Sequence, residues 1–189
     1  MDHKTLTTIT RAGNSAILVI VEAFSGFPHL IPVPDMTAET TARAIVHHIV
    51  PLWGIGFSLY SDKSPSFVNA LFANINALLG ITHITSASRT ARSNGLAESY
   101  VKRLSEHLKF YAIDDYSIEQ AIPLIEVNLR ATPHSKLGIS PYEIVFGRPM
   151  FLGVPGDPRC IAKHEQPDIQ SDRLSYYGFR LSCIVCIQK

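Results

Sequence analysis

Ala16-Ile17-Leu18-Val19-Ile20-Val21 is an unbroken aliphatic run rich in β-branched side chains. It is far too short to span a membrane, and it lacks the polar alternation of a half-buried strand. A short, continuous, β-branched run predicts a central strand covered on both faces. Working outward, Arg11-Ala12-Gly13-Asn14 predicts a turn before it and Ser25-Gly26 a turn after it. Threonine-rich residues 2–8 alternate loosely and predict a strand upstream. His29 to Val33 predicts one downstream, at a sheet edge because Pro32 has no amide hydrogen to donate. Connections this short favour an antiparallel meander.

The period then changes. Behind Thr37 as N-cap candidate, Ala42, Ile45, Val46, Ile49 and Leu52 recur at helical spacing, and Gly54 and Gly56 stop the helix. Phe57 to Ser61 predicts a short strand ending at Asp62. Ser64-Pro65 reads as an N-cap and first helical position. The apolar face of that helix is Phe67, Leu71, Ile75, Leu78 and Leu79, and Gly80 is its C-terminal glycine. Ile81 to Thr85 predicts another strand and Ser86 to Asn94 a polar loop. A long helix follows, with Ala97, Val101, Leu104, Leu108 and Tyr111 on one stripe. A further helix covers roughly 117–131, where Pro123 either kinks it or marks its first turn. The order β-β-β-α-β-α-β-α-α predicts an α/β fold. Its sheet is mixed and five-stranded, three antiparallel strands then two parallel, with helices on both faces. Residues 1–150 form this domain, and 151–189 read as an irregular tail with no recognisable domain.

Composition agrees with a packed core: of 189 residues, 46% are hydrophobic and 17% charged. A net charge of +1 excludes a protein that coats nucleic acid by bulk charge, so any such site needs local segregation. No apolar signal region opens the chain, and nothing in it predicts a membrane association. The only cysteines, Cys160, Cys183 and Cys186, lie near the end and make no disulfide scaffold, which predicts a reducing, intracellular setting. Cys183 and Cys186 form half of a zinc set without a partner pair.

Three carboxylates stand out by position. Asp2 lies on the first strand, Asp62 at the C-terminal end of the fourth, and Glu98 in the first turn of the long helix. Ligands of open α/β sheets gather outside carboxyl strand ends where strand order switches. Pairing the first strand with the fourth would set Asp2 beside Asp62 there. Carboxylates forced together repel, so such a cluster persists mainly when cations neutralise it. Hard oxygen donors favour Mg²⁺ or Mn²⁺, and two such ions can activate an attacking oxygen and stabilise a leaving one. Taken singly, an Asp after a strand is usually a turn or cap residue, and a Glu in a first helical turn usually complements the helix dipole.

Spacing and surroundings lift them above that. Asp62 and Glu98 have 35 residues between them, within Leu59-Tyr-Ser-Asp-Lys-Ser-Pro-Ser-Phe67 and Ser93-Asn-Gly-Leu-Ala-Glu-Ser-Tyr100. This resembles the D,D(35)E catalytic core of retroviral and LTR-retrotransposon integrases, which has an RNase H-like fold. Ile17 to Gly26 resembles the second strand and its exit, and Ser140-Pro-Tyr-Glu-Ile-Val-Phe-Gly-Arg148 the segment that follows the core in retrotransposon integrases. The resemblance covers about residues 1–150 and implies a catalytic triad of Asp2, Asp62 and Glu98 holding two Mg²⁺ (or Mn²⁺) ions. Glu22 is set aside because it belongs to the second strand. The implied activity is DNA integration: 3′-end processing and strand transfer by metal-dependent polynucleotidyl transfer. Relative to the family, the first strand is clipped, and the N-terminal zinc module and C-terminal DNA-binding domain are not recognisable.

Residues 83–111 hold Arg89, Arg92, Lys102, Arg103 and Lys109 against Glu98 and Glu106, a local basic excess. Glu98, Lys102, Ser105 and Lys109 share a helix face, where Glu98–Lys102 would otherwise be an ordinary surface pair. On the family resemblance these bases bind DNA phosphates and the loop 86–94, with Ser93 and Asn94, touches the DNA end. The resemblance also implies element and target DNA as partners, a homo-oligomer, a nuclear or intracellular location, and no organic cofactor. Three rivals remain: an RNase H-like nuclease or transposase, an inactive or domesticated nucleic-acid-binding fragment, and a small-molecule-binding α/β domain. The last predicts a phosphate-cradling glycine loop after the first strand, which Arg11 to Asn14 does not supply.

Overall fold

The computed structural model describes residues 1–7, 9–85, 91–113, 116–135 and 137–152, with the backbone alone at 91–96, 98, 112 and 113. Three antiparallel strands come first: β1 (Asp2–Thr5), β2 (Ala16–Val21) and β3 (Pro28–Val33), in the order β1-β2-β3. Asp2 pairs with Val19 and Val21 with Pro28. β1 is shorter than the predicted strand 2–8, because Leu6 already bonds to Ser15 in the closing turn.

Every residue of β2 is buried. Its pleat feeds two separate cores, as a doubly covered strand must. Ala16, Leu18 and Ile20 meet the helices between β3 and β5, while Ile17, Val19 and Val21 meet those after β5. Pro32 is accordingly on an edge strand.

The first helical segment is α1 (Ala38–Ala44), capped by Thr37, whose hydroxyl accepts from the Thr40 amide at 3.3 Å. It widens into a π turn (Ile45–Ile49) before α2 (Val50–Trp53), with Gly54 ending it. Pro51 accounts for the widening: in a regular helix its ring would strike the His47 carbonyl.

β4 (Ser58–Ser61) and β5 (Thr82–Thr85) are parallel, with Ser61 opposite Thr85. Between them α3 (Ala70–Leu78) begins later than predicted. Ser64-Pro65 opens an isolated turn, in which the Ser64 carbonyl accepts from Phe67 and Val68, and Asn69 is the true N-cap. The later start rotates the buried face: Phe72 and Asn76 point inward, while Leu71 and Leu78 lie exposed. Gly80 does terminate the helix, at φ +65°. The Ile81 amide reaches Asn76 and the Gly80 amide reaches Ala77, a closure that favours glycine.

α4 (Ala91–Ile113) packs on β2 and β1; of the expected stripe Ala97 and Leu104 are fully buried and Val101, Leu108 and Tyr111 partly so, while Tyr100, outside that stripe, is buried as well. It begins before the predicted start, so Ser93, Asn94 and Gly95 belong to the helix and Glu98 is two turns in. α5 (Ile118–Ala131) has a Ser117–Gln120 capping box and carries Pro123 in its interior. A short α6 (Pro141–Phe146) has a second capping box, Ser140–Glu143, and ends at Gly147.

Strand number and directions match the expected mixed α/β architecture. The sheet itself is hydrogen-bonded as two ladders, β1-β2-β3 and β4-β5, rather than as one continuous sheet. β1 offers few residues for a ladder with β4, and the Met1 amine reaches across between them, donating to the Tyr60 carbonyl at 2.9 Å. Residues 153–189, with all three cysteines, lie outside the described residues.

Candidate active site

Asp2 is half-buried on β1, and Asp62 is half-buried immediately beyond β4. The Met1–Tyr60 bond joins the end of β1 that carries Asp2 to the stretch of β4 leading into Asp62. One carboxylate oxygen of Asp62, Oδ1, is shielded from solvent. The backbone of Glu98 lies on α4, which packs against β1; its carboxylate lies outside the described residues.

The surroundings of both aspartates are tied down. His3, next to Asp2, stacks on the buried Phe67 ring (5.0 Å, 6°). Its Nε2 is 3.3 Å from the Thr41 hydroxyl, whose own proton goes to the Thr37 carbonyl, which assigns the imidazole as donor. Phe67 also anchors the segment after Asp62, and Ser66 donates to the Met36 carbonyl. Ser61 is buried and donates to the Asp62 carbonyl at 2.7 Å while meeting His83 Nε2 at 2.8 Å. Burial lowers the pKa of His83.

Glu22, the other acid near the strands, is occupied. Its carboxylate accepts from the Phe24 amide (2.9 Å), the Ser25 amide (2.6 Å) and the Ser25 hydroxyl (2.5 Å), closing the turn after β2. The Tyr100 hydroxyl reaches that turn from α4, donating to the Gly26 carbonyl at 2.5 Å. Gly26 has φ +71°, and a Cβ there would lie 2.7 Å from the His134 ring. Glu22 and Tyr100 thereby dock α4, the helix of Glu98, onto the sheet.

Of the expected DNA-binding residues, Lys102, Arg103 and Lys109 are exposed on α4. The Arg103 guanidinium sits over the Tyr100 ring at 5.3 Å. Arg89 and the side chains of Arg92, Ser93 and Asn94 lie outside the described residues. Of the predicted loop 86–94, residues 91–94 are helical and 86–90 are outside the description.

Ser61, His83 and Tyr100 carry most of this framework and were not among the expected site residues. Only Ser61 left a mark in the sequence, a polar residue on the inward phase of a strand, two positions after Leu59. Among the described residues, no group of three His, Cys, Asp or Glu side chains forms a metal-binding cluster. No helix among them is long and apolar enough to cross a membrane.

No family model matches the chain. It is 31% identical over 141 residues to the Gag-Pol polyprotein of Woolly monkey sarcoma virus, an alignment covering 74% of this chain and 8% of that protein. Its fold matches the catalytic core domain of BIV integrase with a TM-score of 0.65 and 28% identity, over 78% of this chain and 91% of that one. The HTLV-2 integrase catalytic core domain, solved with magnesium in a trimeric form, matches with a TM-score of 0.60 and 19% identity, over 76% of this chain and 90% of that one.

The fold is therefore RNase H-like, a mixed α/β sheet with aspartates at adjoining strand ends. Within that class the chain belongs with the integrase catalytic cores of retrovirus-type elements. It spans about 8% of the length of the polyproteins it resembles.

Proposed function

We propose that residues 1–150 are the catalytic core of a DNA integrase, a polynucleotidyl transferase that processes element DNA 3′ ends and joins them to target DNA. The observation behind this is the hydrogen bond from Met1 to Tyr60, which adjoins the strand ends bearing Asp2 and Asp62. Asp2, Asp62 and Glu98 are the proposed ligands of two Mg²⁺ or Mn²⁺ ions.

The donor chemistry fits such ions. The neighbouring imidazole nitrogens, Nε2 of His3 and of His83, are engaged with hydroxyls, so the carboxylates supply hard oxygen donors. The HTLV-2 core was solved in complex with magnesium. Bound there, the metal pair supplies activation of the attacking oxygen (of water, or of a DNA 3′-hydroxyl) and stabilisation of the departing one.

The rest falls to the chain itself. Asp62, at the end of a short parallel ladder, and Asp2, on a strand locked to β2, hold their carboxylates on rigid elements. Lys102, Arg103 and Lys109 on α4, with Arg89, Arg92, Ser93 and Asn94, bind the phosphates and end of the DNA. Those contacts set the position of the scissile bond and carry little base information. By likeness to the trimeric HTLV-2 core, the working form is a homo-oligomer; it acts on DNA, in a nuclear or intracellular setting.

A dumbbell disintegration assay with Mn²⁺ tests the proposal on the isolated chain. Cleavage and rejoining are expected, falling at least a hundredfold in Asp62→Asn, in line with the loss of a group essential to the transition state. No product from the wild type, or equal product from the variant, overturns it.

A further inference from the structure

We propose that Ser61 and His83 are positioning residues that clamp the main chain of Asp62 and so fix the aim of its carboxylate. This rests on Asp62 being a metal ligand, as proposed above.

Ser61 sits where β4 should present an apolar side chain, and it is 2% exposed. A buried hydroxyl is costly unless it is hydrogen-bonded. Here it is bonded twice. Its single proton goes to the Asp62 carbonyl at 2.7 Å, so the contact to His83 at 2.8 Å has the imidazole Nε2–H donating. Asp62 is thereby held on both sides of its Cα. Before it, Ser61 is registered against Thr85 in the parallel ladder. After it, the carbonyl is pinned by the Ser61 hydroxyl. With both backbone torsions fixed, the direction of Cβ is fixed, and only the side-chain torsions remain.

His83 is itself wedged. Its ring meets Phe72 edge-on at 5.2 Å, Phe72 meets Phe67 at 6.2 Å, and Phe67 stacks on His3 at 5.0 Å. A row of four rings thus runs from His83, which donates to the Ser61 hydroxyl, to His3, the residue after Asp2. Phe67 and Phe72 are fully buried in the core shared with β2, so the row shifts only with that core. Rigid support of this kind matters because metal ligands need to be held to within a fraction of an ångström.

The expected signature is weaker metal binding without loss of fold. Mn²⁺ binding to the full chain is measured by electron paramagnetic resonance, with metal-free melting temperature as the fold control, for wild type, Ser61→Ala, His83→Ala, His83→Gln and Asp62→Asn. Ser61→Ala and His83→Ala are expected to bind Mn²⁺ about tenfold more weakly, the lower end of the range for outer-shell partners. His83→Gln retains an N–H donor and is expected to recover most of the affinity, even if the alanine variant folds poorly. Asp62→Asn is expected to lose the site altogether. If Asp62→Asn loses the site while Ser61→Ala and His83→Gln both bind like wild type and His83→Ala does too, the clamp is overturned and the metal assignment stands. If His83→Gln is as weak as His83→Ala at equal melting temperature, donation to Ser61 is overturned. If Asp62→Asn binds Mn²⁺ unchanged, the assignment of Asp62 fails, and the clamp with it.

Discussion

His29 illustrates how far a single side chain is governed by its surroundings. It lies on edge strand β3, yet is buried between Phe27 and Trp53. The Trp53 indole donates to its Nε2 at 2.8 Å, which makes that nitrogen an acceptor and the ring neutral. Burial, then the charge of Arg130 and then that of His48, lower its pKa from 6.5 to about 3. The unfolded chain restores the ordinary value, so between these two pH values it binds a proton that the folded chain does not. Stability therefore rises with pH from about 3 to about 6.5 and is flat above, with a slope from this group of at most about 1.4 kcal/mol per pH unit. His29→Gln keeps an acceptor for the indole and removes the titration. Its melting temperature is expected to fall less than that of wild type between pH 6.5 and pH 4, in otherwise identical buffers. An equal fall would assign the acid sensitivity to other groups. None of this is readable around residue 29, where histidine in an alternating strand looks like an outward polar residue. Its partners Trp53 and Arg130 arrive from α2 and α5.

Among the elements, α3 separates what local sequence can announce from what it cannot. Ser64-Pro65 has the chemistry of a helix start, yet the chain makes one turn there and starts again at Asn69, whose side chain accepts from the Leu71 and Phe72 amides at 2.8 and 3.3 Å. The choice is tertiary. Phe67 has to reach the His3 ring and Ser66 the Met36 carbonyl, and a helix running straight from Pro65 would carry both away. Asn69→Ala is accordingly expected to cost about 1 kcal/mol in urea denaturation. Ser64→Ala is expected to be neutral or slightly stabilising, since its buried hydroxyl makes no hydrogen bond among the described residues. The opposite order of effects would put the helix start at Pro65. By contrast β2 was legible in full, because a strand buried on both faces has nowhere to put a polar residue. The caps at Thr37 and Gly80 were legible because their partners lie within five residues. Asp2 and Asp62 were legible as acids at strand ends. The Ser61–His83 contact was not, since it joins residues 22 apart through the register of two strands that local sequence does not specify.

At the scale of the whole molecule, a net charge of +1 looks poorly suited to a DNA partner until its distribution is considered. Some basic side chains are already spent within the fold. Arg130 donates to the Pro28 carbonyl and to Glu126, whose carboxylate accepts the Leu30 amide, so the pair seals the open edge of β3. Arg43 is paired with Glu39 on α1. On α4, by contrast, Lys102, Arg103 and Lys109 are exposed along one helix that packs over the strand of Asp2. If these three contact phosphates, each releases about one condensed counterion, and log K falls with log salt by about 0.9 per contact. Replacing any one of them with alanine is expected to lower affinity for a DNA duplex and reduce that slope by about 0.9. Replacing all three should reduce it by about 2.7. Arg43→Ala, which removes the same formal charge from a different helix, should leave the slope unchanged. Fluorescence anisotropy of a labelled duplex over a salt series measures all of these. Equal loss of slope from Arg43→Ala and Lys102→Ala would mean that DNA senses the total charge of the protein rather than the face of α4.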